Sequence, residues 1–176
     1  MEVNISRKCL MAGLARTTSI ADRKSSMLVL SNILLETVGA ESIRISATDL
    51  NISASGVYPS EVMEKGAITV PAKTFYDVVR SMGDGSIRIR TIGEQVEISS
   101  GRASFKLHGL PAEDFPTLPK TKDDDFFDMD AALLNRMIEH TSFSISTDET
   151  RRHLNGAYFQ GDGKNIRMVS TDGHRL

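Results

Sequence analysis

The sequence predicts an α+β fold built from a repeated unit of one strand, one helix and three strands. Three observations lead to this prediction. Residues 67–82 have the pattern of a short strand followed by an amphipathic helix, the same pattern recurs twice, and alternating apolar segments follow the helices. One helix for every four strands favours antiparallel sheets with the helices gathered on one face, because a doubly wound parallel fold needs a helix after most strands.

Residues 67–82 show the repeated unit most clearly. Ile68 and Val70 alternate with Thr69, as in a half-buried strand. Pro71 ends the strand and is expected in the first helical turn, where its missing N–H is not needed. The apolar face of the helix is then spaced at i, i+3, i+4 and i+7 by Phe75, Val78, Val79 and Met82.

Two further copies of this unit align without gaps. In the first, at residues 3–14, Ile5 matches Val70 and Ser6 matches Pro71, so Ser6 is the expected helix cap. In the other, at residues 127–138, Met129 matches Val70 and Asp130 is the cap. The copies are about 65 and about 59 residues apart, which is the spacing of a repeated supersecondary unit.

The segments around these helices complete the first predicted domain, at residues 1–118. The first helix runs to about Arg16, and a polar loop at 17–26 follows it. Three strands are then expected at 33–38, 42–48 and 51–57. The second unit has its strand at 67–70, its helix at 72–82 and three strands at 86–91, 95–99 and 103–107, with glycine-containing turns between them.

A second domain is predicted to begin after a proline-rich, acidic linker at 119–125. Its elements are a strand at 126–129, a helix at 131–141, a polar loop at 144–153 and strands at 154–160 and 165–170. Thr171-Asp172 repeats Thr48-Asp49 at an offset of about 123 residues, and Asn155 is matched to Asn32. Residues 126–176 are therefore expected to be about half of a domain, with apolar faces and strand edges left uncovered.

Composition narrows the class of protein. The chain has 176 residues, 40% of them hydrophobic, and a net charge of −2. The overall charge therefore gives no indication of nucleic-acid binding. One cysteine, Cys9, excludes an internal disulfide and fits a reducing compartment. We find no signal peptide and no apolar run of about 20 residues, and we expect a soluble cytoplasmic protein without contact to a membrane.

Charge is sorted within the chain. The three predicted helices carry an excess of basic residues, while the rest of the chain is acidic. A surface of this kind can bind a polyanion through phosphates without reading bases, so any nucleic-acid contact should be nonspecific and salt-sensitive. The alternative is an ordinary solvated face with a local Lys73–Asp77 pair. The basic residues are Arg7, Lys8, Arg16, Lys73, Arg80 and Arg136.

Catalytic and cofactor motifs are missing from the sequence. Asp172 and His174 could serve a hydrolase, but the match of Thr171-Asp172 to Thr48-Asp49 indicates a recurrent turn at a strand end. Three consecutive carboxylates at 123–125 cannot converge on a metal ion. The sequence therefore predicts no catalytic residues, no metal and no cofactor.

Five motifs make the sequence resemble one known family, the bacterial DNA polymerase III β subunits, or β sliding clamps. The resemblance covers the whole chain, and its most specific part is TDGHRL after a strand. The motifs are TDGHRL at 171–176, LNG at 154–156, ATD at 47–49, VPA at 70–72 and GLPAEDFP at 109–116.

This resemblance implies a DNA-clamp fold with sheets outside and basic helices on one face, lining a hole around double-stranded DNA. It implies DNA replication as the process and processivity as the role: a head-to-tail homodimer ring, without an active site, tethers the polymerase and is opened by a clamp loader. Implied partners are the replicative polymerase catalytic subunit, the clamp loader and repair polymerases, which dock short linear peptides. The implied location is the cytoplasm, at the nucleoid.

The resemblance also implies functional residues. DNA contacts are expected at Lys73 and at Arg23 or Lys24, between which the loop alignment does not choose, and they extend to four arginines: Arg80, Arg136, Arg151 and Arg152. The partner-peptide groove is expected at Leu154, Thr171, Gly173, His174, Arg175 and Leu176.

Family chains have a complete second domain and a third one, which residues 1–176 lack. We therefore expect this chain alone not to form a closed ring. The alternative function is a nonspecific DNA-binding adaptor that never closes into a ring.

Overall fold

The computed structural model describes residues 1–21, 27–118 and 127–176, which fall into two compact units. Unit 1 is Met1–Pro119 and unit 2 is Lys120–Leu176. The boundary between the two units lies inside the predicted linker at 119–125. The linker itself is outside the described residues. The domain limits predicted above therefore remain a prediction in their details.

Unit 1 contains two helices and nine strands in its described part. The first half comprises β1 (Glu2–Ser6), α1 (Arg7–Thr17), β2 (Asn32–Val38), β3 (Ser42–Thr48) and β4 (Ser53–Pro59). A short strand, β5 (Glu61–Glu64), follows. The second half comprises β6 (Ala67–Pro71), α2 (Ala72–Ser81), β7 (Ser86–Ile92), β8 (Gln95–Ser100) and β9 (Ala103–His108). Short 3₁₀ turns lie at Leu28–Ser31 and Ala112–Asp114.

The two halves of unit 1 exchange their first strands. One antiparallel sheet has the order β4-β3-β2-β6, and the other has the order β5-β1-β7-β8-β9. Strand β6 of the second half thus completes the sheet of the first half, and β1 completes the sheet of the second. The repeated strand–helix–three-strand unit is therefore seen in the structure, and each half needs the other for a full sheet.

Strand register confirms the gapless alignment of the two copies. Ser6 pairs with Ser86 at the β1–β7 contact, and Pro71 pairs with Asn32 at the β6–β2 contact. Ser6 and Pro71 are equivalent in the alignment, so their partners Ser86 and Asn32 are equivalent as well. The registers of the β1–β7 and β6–β2 contacts are therefore consistent with the internal repeat.

The core of unit 1 is made by the inward-facing side chains of both sheets and by the apolar faces of α1 and α2. Leu10, Leu14, Phe75 and Val79 are completely buried, which confirms the predicted helix faces. Ser6 caps α1 by accepting a hydrogen bond from the Cys9 amide at 3.2 Å.

Pro71 departs from its expected place. It is the last residue of β6 and the N-cap of α2, one position before the first turn, where its nitrogen needs no partner within the helix.

One strand of unit 1 was not predicted. Strand β5 pairs with β1 at the edge of the larger sheet, with Val3 opposite Val62 and Glu2 opposite Glu64. It is short and charged, which is typical of an edge strand that is protected against pairing with other chains. Its four residues are too few to show the alternation of apolar and polar side chains from which a strand is predicted.

Unit 2 has one helix and one hairpin in its described part. These are α3 (Ala131–Thr141), β10 (Tyr158–Gly161) and β11 (Ile166–Val169), with 3₁₀ turns at Ser142–Ser144 and Arg152–Leu154. Asp130 caps α3 as predicted, since its carboxylate accepts from the Leu133 amide at 2.8 Å.

Two strand predictions in unit 2 are wrong. Residues 127–130 form no strand, because no strand among the described residues pairs with them, whereas β1 has partners on both sides. The strand expected at 154–160 begins only at Tyr158, since Arg152–Leu154 closes a 3₁₀ turn through the Leu154 amide and the Arg151 carbonyl at 2.8 Å.

The match of Asn155 to Asn32 is also corrected. Phe159 pairs with Met168 in unit 2, and Leu35 pairs with Ile45 in unit 1. Because Met168 is equivalent to Ile45, Phe159 is equivalent to Leu35, and Asn155 falls one position before the counterpart of Asn32. The hairpin loop in unit 2 is one residue shorter than the loop between β2 and β3, so the offset between the two units is 124 on β10 and 123 on β11.

A buried hydrogen-bond network fixes the end of unit 1. The Thr69 hydroxyl accepts from Asn32 at 2.9 Å and donates to the Leu110 carbonyl at 3.1 Å, while the Thr69 and Leu110 backbones exchange two further bonds. At Gly109 a Cβ atom would lie 2.4 Å from the Thr69 carbonyl oxygen, so the backbones meet at a distance that only glycine allows.

We expect Gly109→Ala to lower the free energy of unfolding of unit 1 by about 1–3 kcal/mol, because the Thr69 backbone must move to admit a methyl group. Gly83→Ala is the matched control, since nothing lies within 4 Å of its Cβ position. Chemical denaturation of the two variants measures the difference. Equal stabilities would show that the contact at Gly109 carries no constraint.

Candidate functional site

The first group of candidate residues lies on α1 and α2. Arg7 is used inside the protein: its guanidinium donates to the carbonyls of Val79 at 3.1 Å and Arg80 at 2.9 Å, and to Asp84 at 3.0 Å. These carbonyls end α2, so Arg7 caps that helix and opposes its dipole. Arg7 therefore holds the start of α1 against the end of α2 and is not an open phosphate contact.

Other basic side chains of these helices are exposed: Lys8, Arg16, Lys73 and Arg80. The suggested Lys73–Asp77 pair is absent, because Asp77 pairs with Arg80 at 3.4 Å, and Arg80 also lies over the Tyr76 ring at 5.7 Å. Within the described ranges, no carboxylate forms an ion pair with Lys8 or Lys73. Arg16 also has no ion pair in these ranges, so Lys8, Arg16 and Lys73 are the basic side chains of the two helices most open to an anion.

Unit 2 supplies further candidates. Arg136 is exposed on α3 beside a shallow cleft of about 210 Å³ that also includes His140 and Met168. Arg152 is exposed at the start of the 3₁₀ turn, and Arg151 pairs with Asp148 at 2.8 Å. Two of the predicted DNA contacts, Arg23 and Lys24, lie outside the described residues.

Asp148 is held ionised by its neighbours. A hydrogen bond from the Thr150 hydroxyl at 2.6 Å, followed by the bond from Arg151, lowers the pKa of Asp148 to about 2. The loop that carries Arg151 is thus ordered by a carboxylate that accepts several donors.

The second group of candidates is a turn at the end of β11, in residues 171–176. The Asp172 carboxylate accepts from the backbone amides of His174 at 2.9 Å and Arg175 at 3.1 Å. The Thr171 hydroxyl accepts from the Gly173 amide at 3.0 Å and donates to the Arg175 carbonyl at 2.6 Å. Gly173 has φ +91°, a conformation that suits glycine.

The same four hydrogen bonds occur at the end of β3. Asp49 accepts from the amides of Asn51 at 2.8 Å and Ile52 at 2.6 Å. Thr48 accepts from the Leu50 amide at 3.1 Å and donates to the Ile52 carbonyl at 3.1 Å. Leu50 has φ +75°, the left-handed conformation that Gly173 has in unit 2. The predicted equivalence of Thr171-Asp172 and Thr48-Asp49 is confirmed at the level of single bonds.

This geometry gives Asp172 a structural role. The His174 amide bond, together with the bonds from Arg175, lowers the pKa of Asp172 to about 2. Its oxygens are occupied by the two amides and by the Arg175 Nε at 2.9 Å. A carboxylate held in this way is a poor general base, which argues against a hydrolase centred on Asp172 and His174.

The predicted groove residues surround this turn. Gly173, His174 and Arg175 are exposed, and Leu176 is 84% exposed. Leu154, at the end of its 3₁₀ turn, is half-buried, and its carbonyl accepts from the Ser146 amide at 3.0 Å. A Cβ atom on Gly173 would lie 3.2 Å from an Arg151 guanidinium nitrogen, so the chain around Leu154 lies next to the turn. These residues combine exposed apolar side chains with a turn whose backbone is fixed by the Thr171 and Asp172 side chains.

One exposed side chain was missed by sequence reasoning. Phe105 is 38% exposed on β9, the last strand of its sheet, opposite the buried Ile98. The sequence could have indicated this exposure, because Phe105 lies in the final strand of a repeat and a last strand has one free edge.

The described ranges hold neither a metal-binding cluster nor a membrane-spanning helix. No group of three or more histidine, cysteine, aspartate or glutamate residues there could hold a metal ion. No helix in the same ranges is long and apolar enough to span a membrane.

Family models match nearly all of the chain. The N-terminal domain model of the DNA polymerase III beta subunit matches residues 1–119, and the central domain model matches residues 128–176. The chain belongs to the DNA polymerase III beta subunit family. Residues 120–127 separate the two matches and overlap the predicted linker at 119–125.

Individual relatives in this family agree. The beta sliding clamp of Caulobacter vibrioides is 37% identical over the whole chain, and that of Escherichia coli K12 is 34% identical. The chain spans about half the length of the curated relatives it matches, 49% and 48% in these two cases.

Solved structures of this family show the same fold. The DNA polymerase III subunit beta of Pseudomonas aeruginosa superposes with a TM-score of 0.92 at 34% identity, covering 99% of this chain and 48% of that one. A Bartonella birtlesii sliding clamp bound to griselimycin gives 0.86 at 34% identity, covering 99% and 48%. The predicted α+β clamp fold, with antiparallel sheets and helices, is confirmed.

The left-handed conformation of Leu50 leads to a prediction about stability. We expect Leu50→Gly to raise the free energy of unfolding by about 0.5–1 kcal/mol, because glycine removes the Cβ strain at φ +75°. Leu28→Gly is the control, since Leu28 is also exposed, by 75% against 60% for Leu50, but lies in a right-handed 3₁₀ turn, and it should lower stability. Thermal unfolding compares them. A loss of stability in Leu50→Gly would contradict the strain.

The charge of Asp172 gives a pH prediction. Its pKa is lowered in the folded turn, so the contribution of the carboxylate is complete above its ordinary pKa of 3.8 and is lost as the pH falls through about 2. The amide proton signals of His174 and Arg175 should shift together over this range in NMR spectra. In Asp172→Asn they should not titrate. If the signals moved only near pH 4, the hydrogen bonds would not stabilise the ionised form of Asp172.

Proposed function

We propose that this chain is part of a DNA sliding clamp, which gives the replicative polymerase processivity by holding duplex DNA without reading its sequence. The observation that carries the proposal is the family match over both units, combined with exposed basic residues on helices that the repeat makes equivalent. The alternative, an adaptor that never closes into a ring, is not favoured by relatives that are sliding clamps.

DNA contact is assigned to exposed basic residues of the three helices and the loop before β10. Lys73 on α2 and Arg136 on α3 lie at the centre of this assignment, because both are exposed and equivalent helices carry them. Lysine and arginine bind phosphates without base-specific geometry, so the DNA can slide. Arg80 of unit 1 and Arg151 and Arg152 of unit 2 are further assigned contacts, and Arg23 or Lys24 is included from the resemblance alone.

Partner docking is assigned to the turn and the 3₁₀ segment beside it. The groove residues are Leu154, Thr171, Gly173, His174, Arg175 and Leu176. The Thr171 and Asp172 bonds hold the backbone of the turn in one shape, and Leu154 and Leu176 supply the apolar anchor for a short peptide. Two relatives solved with griselimycin bound, from Bartonella birtlesii and Pseudomonas aeruginosa, support a ligand site in the family. The expected owners of such peptides are the polymerase catalytic subunit, the clamp loader and repair polymerases.

Ring closure is assigned to the longer protein, as a head-to-tail homodimer. The free edge of β9, with Phe105 exposed on it, is a suitable strand edge for a subunit contact. We infer no catalytic role, because the processivity of a clamp comes from tethering rather than from chemistry. We also infer a cytoplasmic location, at the nucleoid, as expected for a bacterial replication protein.

The DNA surface is tested by charge reversal. We expect Lys73→Glu to weaken binding of this chain to duplex DNA and to reduce the slope of log K against log salt by about 1, since one phosphate contact is lost. Fluorescence anisotropy at several salt concentrations measures both. Lys106→Glu, the same change on the exposed strand β9, is the control and should bind as the parent chain does. Equal losses in both variants would contradict a surface centred on the helices.

The partner site is tested with griselimycin as the probe. We expect His174→Ala and Leu154→Asp to weaken its binding to this chain by about tenfold or more, because each removes part of the groove wall. Isothermal titration calorimetry measures the affinity. His108→Ala, a surface histidine of unit 1, is the control. Unchanged affinity in both groove variants, with measurable binding to the parent chain, would place the site elsewhere.

A further inference from the structure

The loop before β10, at residues 146–154, carries part of the proposed partner groove. Its two ends are joined, because the Ser146 amide donates to the Leu154 carbonyl at 3.0 Å. Ser146 is buried, and its hydroxyl accepts from the Asp148 amide at 3.1 Å. The Leu154 amide in turn donates to the Arg151 carbonyl at 2.8 Å. The loop is therefore a closed segment with Leu154 at its end.

Asn155 directly follows this loop in the chain. One terminal atom of its side chain is 3.0 Å from the Asp148 carbonyl oxygen, 3.2 Å from that of Ser146 and 3.3 Å from that of Arg151. A carbonyl oxygen accepts hydrogen bonds and never donates them, so this atom is the amide nitrogen, Nδ2. Its two hydrogens are shared among the three carbonyls, and one side chain thus links the beginning of the loop to its later part.

Unit 1 has a different residue at the equivalent position. Its 3₁₀ turn at Leu28–Ser31 matches the turn at Arg152–Leu154, and Ser31 is the counterpart of Asn155 at the offset of 124. The Ser31 hydroxyl has one proton, which it donates to the Leu28 carbonyl at 2.7 Å, within the turn itself. The repeated fold therefore accepts a serine here, and the bonds of Asn155 serve the loop of unit 2.

The loop that Asn155 holds lies against the turn at 171–176. A Cβ atom on Gly173 would lie 3.2 Å from a guanidinium nitrogen of Arg151, and the Arg151 Nε donates to the Asp148 carboxylate at 2.8 Å. Asn155 bonds to the backbones of both Asp148 and Arg151, so it fixes the two ends of this ion pair. The place of the Arg151 guanidinium beside the turn thus depends on Asn155.

We propose that Asn155 is a positioning residue for partner docking. Through its donated hydrogen bonds it holds Leu154 and Arg151 where a partner peptide meets the turn at 171–176. This inference rests on the proposed function, since the groove is assigned there. Asn155 is itself exposed, so water can replace its hydrogen bonds when they are lost. Its replacement should therefore disturb the loop rather than unfold unit 2.

Griselimycin binding to two variants of Asn155 tests this role, with isothermal titration calorimetry on the 176-residue chain as the measurement. Asn155→Asp keeps the shape of the side chain but turns an oxygen toward the three carbonyls, and it should weaken binding by about tenfold. Asn155→Ser introduces the residue found in unit 1. It loses the loop bonds without adding a charge and should weaken binding by about threefold.

The order of the two variants separates a hydrogen-bond donor from a residue that only fills space. If Asn155 only filled space, the isosteric Asn155→Asp would bind griselimycin as the parent chain does, and Asn155→Ser would bind more weakly. Asn135→Asp is the matched control. It makes the same change on α3, where the Asn135 amide donates to the Glu139 carboxylate at 2.8 Å, and it should leave griselimycin binding unchanged.

Amide hydrogen exchange tests the loop without any ligand. The amides of Ser146, Arg151 and Leu154 all donate within the loop. Their protons should exchange faster in Asn155→Asp than in the parent chain, while those of α3 keep their rates.

The proposal is overturned if Asn155→Asp binds griselimycin as tightly as the parent chain, or if its loop amides exchange at the parent rate. If the parent chain binds no griselimycin, the assigned groove is what fails. Faster exchange in Asn155→Asp then still supports Asn155 as the residue that holds the loop, and unchanged exchange overturns that role too.

Discussion

The exchange of first strands is the constraint on which unit 1 depends. Strand β1 belongs to the first half of the chain but completes the sheet of the second, and β6 does the reverse. Neither half can satisfy its strand edges or bury its apolar face alone. The two helices are consequently held side by side, and Arg7 links them by capping the end of α2 from the start of α1.

This arrangement explains how a chain with a net charge of −2 can present a basic surface. The helices occupy one side of the shared core, so their polar faces point to solvent in a fixed orientation. Lys8 and Lys73 remain unpaired among the described residues, while Glu2 is engaged by Arg88 and Arg90 on the sheets. Acidic side chains of the sheets thus pair locally, and the helix lysines stay open to phosphate.

Much of the fold could be predicted from the sequence, because repetition and periodicity are local signals. Three local features were predicted correctly from the sequence. They are the buried helix faces of Phe75 and Leu10, the caps Ser6 and Asp130, and the recurrence of the Thr-Asp turn. The strand exchange could not be predicted from the sequence, because it depends on which distant strand pairs with the free edge of each sheet. The missing strand at 127–129 has the same cause: alternation indicates a strand, but only a partner forms one.

The candidate site was predictable to a lesser extent. TDGHRL was recognisable from its resemblance to the family, but its physical reason is the hydrogen bonding of Thr171 and Asp172, which sequence alone does not show. Leu50 illustrates the limit: nothing in a leucine side chain predicts the left-handed conformation, and only the backbone of the structure shows its φ of +75°. The role of Arg7 was hidden for a similar reason, because its partners are carbonyls more than 70 residues away.

Lysine footprinting is the most direct test of the claim that the helix faces hold DNA. The chain is acetylated with and without an excess of duplex DNA, and each lysine is quantified by mass spectrometry. The account predicts protection of Lys8 and Lys73, and unchanged reactivity of Lys65 and Lys106, which lie outside the helices. Protection of Lys65 and Lys106 with free reaction at Lys73 would contradict it.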